Sequence, residues 1–250
     1  MKKANKKVNA AIIIIGNEIL SGRTQDVNLK NLSTWLNDLG VQVEEVRIIP
    51  DLEKVIVKTV NELRKKFNYV FTTGGIGPTH DDITSKSIAK AFQVSYGYHK
   101  KAYNILKNYY KTGEFSEGRK KMAKLPNTAS LILNPSSGAP GFIVKNVYSL
   151  PGVPSILKSM LGGIKNKIVG GKKILSTTMN LRTVESEIAN SLTKIQNKFK
   201  NKVDIGSYPF FKLGKIGVSL VLRSTKKKLI KECEKDITTF LIKKKIKIIK

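Results

Sequence analysis

The chain has 250 residues, a length that suits one large domain or two small ones. It carries 46 lysine and arginine residues against 18 aspartate and glutamate residues, which gives a formal net charge of +28. Its single cysteine, Cys233, excludes a disulfide framework and a thiolate metal cluster. No apolar run is long enough to cross a bilayer and no signal cleavage site follows the N-terminus, so we expect a cytoplasmic protein without a membrane partner.

The positive charge predicts attraction to any polyanion. The sequence nevertheless has no basic stripe interleaved with aromatic residues, no RNA-binding motif and no zinc finger. Nucleic acid therefore stays open as a partner, but only a nonspecific one. The alternative is a lysine-rich composition that covers solvated surfaces and speeds the capture of phosphorylated small molecules.

The first elements alternate between strands and helices. Residues 10–16 are an apolar run ending in glycine, typical of a strand covered on both faces, and leucines at helical spacing follow over residues 29–39. A strand over 41–49, a helix over 56–67 and a strand over 68–73 come next. This order predicts a mostly parallel sheet in a three-layer α/β/α domain. In such sheets, ligands bind at the carboxyl ends of the strands.

The loop after the third strand is the most informative segment, since residues 74–82 read Gly-Gly-Ile-Gly-Pro-Thr-His-Asp-Asp. Glycines let backbone N–H groups approach an anion, and we expect a helix to begin at Asp81. Two carboxylates would repel a phosphate by themselves. The presence of Asp81 and Asp82 therefore predicts a divalent cation, by default Mg²⁺, between carboxylate and phosphate oxygens. The simpler alternative is a tight turn in which Asp81 only caps the helix. The loop matches neither the dinucleotide fingerprint nor the P-loop.

Two further polar loops are predicted at the same site. Residues 16–22 follow the first strand, and after them Asp26 is expected to cap the next helix while Asn28 points towards a ligand. Residues 135–141 are rich in small side chains and could close over a phosphate or a flat ring, although turns have the same composition.

The rest of the chain predicts the end of this domain and a second one. We expect a helix over 99–110, a strand over 131–133, a hairpin over 142–150 and a helix ending near Met160. A lysine-rich, glycine-punctuated segment over 162–171 suggests a boundary between domains 1–168 and 169–250.

The second domain is predicted as a small α+β unit. Its expected elements are strands over 174–182, 203–207, 217–222 and 246–249, and helices over 185–199 and 227–242.

In these motifs the chain resembles the molybdopterin-binding (MoaB/MogA-like) superfamily and, within it, the N-terminal region of CinA-type competence/damage-inducible proteins. The resemblance rests on residues 16–22, 26–28, 74–82, 134–142 and 150–154, in that order. It extends to residues 182–187 and 206–209, which look like the small second domain of the CinA type.

The resemblance implies a domain, often homo-oligomeric, that binds molybdopterin or an adenine nucleotide. CinA-type members and the related domain of FAD synthase are linked to metal-dependent cleavage of ADP-ribose or FAD. It further implies that Asp81 and Asp82 are catalytic and hold the cation. The substrate-binding set expected on this basis is Gly16, Asn17, Glu18, Ser21, Asn28, Thr73, Gly74, Gly75, Gly77, Pro78, Thr79, Ser136, Gly138, Pro151 and Gly152.

The chain departs from the CinA pattern in three respects. We expect the amidase activity of longer CinA proteins to be absent. Arg119 and Met122 stand where the pattern has asparagine and glutamine, which bears on the preferred substrate. The glycine-rich turn before Glu185 and Ser186 is shortened.

Three functions follow as hypotheses. The leading one is a metal-dependent nucleotide pyrophosphatase that releases AMP from ADP-ribose, FAD or a similar compound. The alternative is a protein that binds molybdopterin and adenylylates it. A nonspecific nucleic-acid or protein adaptor is the third.

Overall fold

The computed structural model describes residues 7–110, 114–212 and 214–249, which form two units. The first unit ends at Gly171 and the second begins at Lys172, three residues beyond the boundary expected from the sequence. The elements of the first unit are, in chain order, β1 (Val8–Ile15), α1 (Asn17–Leu20), α2 (Asn28–Asp38), β2 (Val41–Ile49), α3 (Glu53–Lys66), β3 (Tyr69–Thr73), α4 (Thr84–Ala91), β4 (Tyr96–Tyr98), α5 (Lys100–Tyr109), α6 (Glu117–Lys121), β5 (Lys124–Pro126), β6 (Ser130–Ile132), β7 (Gly141–Val144), β8 (Val147–Leu150) and α7 (Pro154–Ile164).

The first unit is built on a six-stranded sheet with the order β2-β1-β3-β8-β7-β6. Strands β2, β1, β3 and β8 run parallel, whereas β7 is antiparallel to both of its neighbours. The predicted hairpin is confirmed: β7 and β8 are joined at Lys145 and Asn146, and Lys145 adopts a positive φ of 51°. The prediction of a mostly parallel sheet is therefore confirmed.

Both faces of this sheet are covered by helices, which confirms the three-layer architecture. Alternate residues of β1 enter two different cores, with Ala11, Ile13 and Ile15 on the side of α3, α4 and α5, and Ala10, Ile12 and Ile14 on the side of α2 and α7. This arrangement explains why β1 is an unbroken apolar run rather than an alternating one. The short elements α1, β4, β5 and α6 were not expected from the sequence.

The second unit contains an antiparallel sheet with two helices. Its elements are β9 (Leu175–Leu181), α8 (Glu185–Lys198), β10 (Asp204–Lys212), β11 (Lys215–Ser224), α9 (Lys227–Lys243) and β12 (Ile248–Ile249), with the strand order β10-β11-β9-β12. Leu181, Leu220 and Ile237 lie fully buried in its separate core.

The prediction that the strand beginning at Val203 ends at Ser207 was wrong. Strand β10 continues through Pro209, which pairs with Val218. Because β10 is an edge strand, a proline that cannot donate to the ladder is tolerated there.

None of the helices in the described ranges is long and apolar enough to span a membrane.

Cys233 lies fully buried on α9, and burial raises the pKa of its thiol to about 11. At mildly alkaline pH the side chain is therefore almost entirely in the unreactive thiol form. We expect a thiol reagent to label the native protein far more slowly than the protein unfolded in guanidinium chloride. Since the chain has one cysteine, the labelling rate would report unfolding of the second unit alone. Equal rates in the two conditions would contradict the buried placement.

Candidate functional site

The carboxyl ends of four parallel strands surround one pocket of about 700 Å³. Gly16 follows β1, Asp51 lies two residues beyond β2, Gly74 follows β3, and Pro151 follows β8. Backbone hydrogen bonds tie these ends together, because Gly16 N–H donates to the Ile49 carbonyl at 3.2 Å and Gly74 N–H donates to the Leu150 carbonyl at 3.1 Å. The pocket has the position that parallel α/β sheets give to ligand sites.

The chain needs glycine at the start of the 74–82 loop. Gly74 has a φ of +96°, and a Cβ there would lie 2.1 Å from the Ile15 carbonyl oxygen. Gly75 has a φ of +68°, and a Cβ there would lie 2.2 Å from Thr84 Oγ1. Both positions thus combine a left-handed backbone with a close approach that a side chain would block.

Three successive N–H groups of this loop are free to bind an anion. Within the described ranges, the N–H groups of Gly75, Ile76 and Gly77 donate to no protein acceptor. All three residues line the pocket. Consecutive unpaired N–H groups in a turn form a concave site for phosphate or a similar anion.

The two loop aspartates precede the helix instead of starting it. Helix α4 begins at Thr84, whose N–H donates to the Gly75 carbonyl at 2.9 Å, and Ile83 is the residue before it. The expectation that the helix begins at Asp81, and the alternative that Asp81 caps it, were therefore wrong. The reason lies in the turn itself: Asp82 Oδ2 accepts the Thr79 N–H at 2.8 Å and the Thr79 hydroxyl at 2.5 Å.

Asp81 is exposed at the pocket, and its surroundings favour the ionised form. The nearby Thr79 hydroxyl, its own backbone N–H and, more weakly, His80 and Lys121 lower the pKa of the Asp81 carboxyl below its ordinary value. The Thr79 hydroxyl carries one proton, which it donates to Asp82. The Asp81 carboxylate is therefore charged and exposed at the pocket. His80 is exposed and is not among the described residues that line the pocket.

Acidic side chains are concentrated in this one pocket of a very basic protein. Five of the chain's 18 acidic residues line it, whereas no lysine, arginine or histidine is found among the described lining residues. The acidic residues are Glu18, Asp26, Asp51, Asp81 and Asp82. A bare phosphate would meet mostly repulsive charge here, so the arrangement favours an anion that arrives with a cation.

Asp51 was missed by the sequence analysis. Its Oδ2 accepts the Asn17 N–H at 2.9 Å, which holds the 16–22 loop against the end of β2. Burial raises the pKa of the Asp51 carboxyl, the Asn17 N–H opposes this, and the charges of three neighbouring carboxylates raise it further. The signal was present, because Asp51 follows the predicted strand 41–49 at the edge where ligands bind.

Asp26 and Asn28 organise the start of α2. Asp26 Oδ1 accepts the Leu29 N–H at 2.8 Å, as expected of a capping residue. Asn28 Nδ2 donates to the Gly152 carbonyl at 2.6 Å, which joins α2 to the loop after β8. Asn28 is 3% exposed, and its Oδ1 lacks a hydrogen-bond partner.

The structure brings most of the expected site residues to the pocket wall. Those that line it are Gly16, Glu18, Asn28, Thr73, Gly74, Gly75, Gly77, Pro78, Thr79, Asp81, Asp82, Pro151 and Gly152.

Four expected residues do not line the pocket. Asn17 contributes its backbone N–H to Asp51, and the Ser21 hydroxyl donates to the Glu18 carbonyl at 3.3 Å. The Ser136 hydroxyl lies 2.8 Å from the Ser159 hydroxyl, and Gly138 packs against the Tyr109 ring. These four residues make contacts within the loops and with neighbouring segments, and they do not form the pocket surface.

The comparisons with known proteins agree with this fold. Residues 11–169 match the family described as probable molybdopterin binding domain, and residues 173–249 match the family described as FAD synthase, middle domain. The chain therefore belongs to the probable molybdopterin binding domain family, which its three-layer domain matches.

Particular relatives refine this assignment. A protein from Archaeoglobus fulgidus is 32% identical over 198 residues, which cover 79% of this chain and 84% of the relative. A protein from Aeropyrum pernix is 40% identical over 157 residues, which cover 60% of this chain and 59% of the relative. The crystal structure of the protein CinA with unknown function from Thermoplasma acidophilum is 31% identical, with a TM-score of 0.61, and the match covers 64% of this chain and 98% of that one. The CinA-type resemblance is confirmed.

We predict that Gly75→Ala destabilises the first unit, because the new Cβ would meet Thr84 Oγ1 in a left-handed backbone conformation. Gly162→Ala is the matched control, since Gly162 lies within α7 and a Cβ there would meet nothing within 4 Å. Alanine stabilises a helix interior by about 0.5–1 kcal/mol relative to glycine. Thermal unfolding should move in opposite directions for the two variants, and a neutral Gly75→Ala would show that the loop tolerates a side chain.

We predict that Asp51→Asn changes the pH dependence of stability. Ionising Asp51 is less favourable in the folded protein than in the unfolded chain, so this penalty appears as pH rises from the ordinary pKa of 3.8 through the raised folded pKa. The variant, relative to the wild type, should therefore gain unfolding free energy between about pH 4 and about pH 7 in urea titrations.

Glu53→Gln is the control of opposite sign. Lys90 lowers the pKa of Glu53, so this carboxylate stabilises the fold near neutral pH and its contribution is lost as pH falls. The Gln variant should be less stable than the wild type above the ordinary pKa of 4.5, and this difference should shrink as pH falls below that value. A shift of the same sign in both variants would contradict the assigned environments.

Proposed function

We propose that the pocket of the first unit binds a nucleoside diphosphate-linked compound such as ADP-ribose or FAD and, with a divalent cation, hydrolyses it to AMP and a phosphorylated remainder. One observation carries the proposal. Three unpaired N–H groups of the glycine loop and five carboxylates line the same pocket. Hydrogen-bond donors for an anion, next to carboxylates that would repel it, suit a phosphate complexed with a metal ion.

The residues present fit one kind of cation site and not another. Within the described ranges, no three histidine, cysteine or acidic side chains form a group that could hold a metal ion. A closed protein cage is therefore not supported. Mg²⁺ commonly keeps several waters and is bound through one or two carboxylates together with substrate phosphates. Asp81 and Asp82 suit that arrangement, since Asp81 is exposed and ionised and Thr79 engages only Oδ2 of Asp82.

The chain's own groups would bind and orient the diphosphate. The N–H groups of Gly75, Ile76 and Gly77 would donate to phosphate oxygens, and the close approach that Gly74 permits keeps this loop next to the end of β1. A bound cation would neutralise phosphate charge and activate water. A water oxygen attacks one phosphorus, the anhydride P–O bond breaks, and the leaving phosphate takes the bonding electrons while the water proton passes to solvent or a carboxylate. This scheme depends mainly on positioning and charge neutralisation.

The proposal predicts Mg²⁺-dependent release of AMP from ADP-ribose or FAD, measured by mass spectrometry. EDTA should abolish it, and Asp81→Asn or Asp82→Asn should lower turnover by about 100-fold or more, the size of effect seen when one electrostatic group is removed from an active site. Asp204→Asn is the control, because Asp204 is an exposed carboxylate in the second unit. Full turnover in the Asp81 and Asp82 variants would contradict the assigned roles.

A second candidate is supported by the family description, probable molybdopterin binding domain. In this alternative the pocket binds molybdopterin, and the same loop and carboxylates hold a nucleotide phosphate for adenylylation. Micromolar binding of a fluorescent pterin without cleavage of any nucleotide pyrophosphate would favour this function. The opposite pattern would favour the hydrolase.

A further inference from the structure

One side of the pocket is built from an aromatic ring and a thioether, which we call the ring wall. It consists of Tyr110 and Met122, which line the pocket, together with Arg119, which is not among the lining residues. The Arg119 guanidinium lies 4.1 Å from the centroid of the Tyr110 ring. Tyr109 meets Tyr110 edge-on, with ring centroids 5.1 Å apart and planes at 87°. The Phe115 ring lies nearly parallel to the Tyr110 ring, with centroids 6.3 Å apart and planes at 16°. The Tyr110 ring is therefore held by a cation and by two aromatic neighbours.

Contacts at both ends anchor the ring wall between two loops of the site. At one end, a Cβ on Gly138 would lie 2.6 Å from the Tyr109 ring, so the 135–141 loop packs directly on this ring. At the other end, Lys121 Nζ donates to the Thr79 carbonyl, and a Cβ on Gly118 would lie 3.3 Å from the Pro78 carbonyl oxygen. Helix α6 thus places the ring wall beside the 74–82 loop.

The polar side chains next to the ring wall already have partners, apart from the Tyr110 hydroxyl. Asn134 Nδ2 donates to the Ser137 hydroxyl at 2.6 Å and to the Ala139 carbonyl at 2.9 Å, while its Oδ1 accepts two backbone N–H groups. Arg119 donates to the Glu114 carbonyl. In the described part of this region, the Tyr110 hydroxyl is left as a polar group without a protein partner. The wall therefore offers an aromatic ring and a sulfur to the pocket, but few free polar groups that could form hydrogen bonds with the edge of a base.

We propose that Tyr110 and Met122 form the subsite for the flat ring of the substrate and recognise it by stacking, so that the substrate class is nucleoside diphosphate compounds of relaxed base identity. The inference rests on the proposed function for the diphosphate half of the ligand. Stacking tolerates different bases because every base has a π face, and thioethers make favourable contacts with ring edges. Ligands are then selected for a planar ring and for their phosphate groups, and not for one particular base.

The test is equilibrium binding with Mg²⁺ and ligands that the pocket does not hydrolyse. The probes are α,β-methylene-ADP, its 1,N⁶-etheno derivative, α,β-methylene-GDP and methylenediphosphonate, which has no ring. The three ring-bearing ligands should bind within about threefold of one another, since the etheno bridge blocks the base edge and leaves the face intact. Loss of stacking with one ring is worth about fivefold or more in affinity.

Variants at Tyr110 separate the ring face from the hydroxyl. Tyr110→Ala and Tyr110→Leu should lower the affinity for α,β-methylene-ADP by about fivefold or more, and Tyr110→Phe should leave this affinity unchanged. Methylenediphosphonate should bind each variant as it binds the wild type, which shows that the pocket is folded. Tyr98→Ala is the matched control, because Lys124 covers Tyr98 at 4.9 Å outside the pocket lining.

Several outcomes would overturn the inference. Equal binding of α,β-methylene-ADP by the wild type and Tyr110→Leu would show that the base does not stack on Tyr110. Loss of binding in Tyr110→Phe or with the etheno derivative would show that the base is recognised by hydrogen bonds. The proposed hydrolysis fails separately, if no AMP is released although ring-bearing ligands bind. Conversely, AMP release that depends on Asp81 but not on Tyr110 would support the proposed hydrolysis and would contradict the proposed ring subsite.

Discussion

The close approach of Gly74 to β1 is the constraint on which the site depends. A Cβ on Gly74 would lie 2.1 Å from the Ile15 carbonyl oxygen, and a Cβ on Gly152 would lie 3.5 Å from the Gly74 Cα. Three chain segments therefore meet at this point. Gly74 N–H also donates to the Leu150 carbonyl. This contact turns the 74–82 loop back over the sheet edge, so that its free N–H groups and its two aspartates share a pocket with the loop after β1.

The fold follows from short-range patterns that the sequence carries plainly. The apolar run of β1 is buried on both faces, and its alternate residues enter two cores, which is the behaviour that an unbroken apolar strand predicts. The polar loops at the carboxyl ends of parallel strands were predictable for the same reason, because the topology brings those ends together. The start of α4 was not, since the Thr79–Asp82 hydrogen bonds hold a turn where acidic residues normally favour the first turn of a helix.

The residues that sequence reasoning missed depend on contacts between distant segments. Asp51 belongs to the site only because β2 lies beside β1, and its raised pKa requires burial together with carboxylates from the two other loops. Tyr110 lies at the pocket, where Arg119, Tyr109 and Phe115 contact its ring. No local sequence pattern distinguishes such a tyrosine from any other tyrosine at the end of a helix. A carboxylate that follows a parallel strand can be predicted as a site residue, because ligands bind at the carboxyl ends of such strands.

The charges of this protein act differently at long and short range. A net charge of +28 attracts anions to the molecule as a whole, but ions in physiological solution screen such attraction beyond about 8 Å. Inside the pocket the nearest charges are carboxylates, and no basic side chain is present among the described lining residues to offset them. An anion drawn to the surface therefore gains from entering only when it brings positive charge of its own. The same electrostatics that would exclude a free phosphate would then select its complex with a divalent cation.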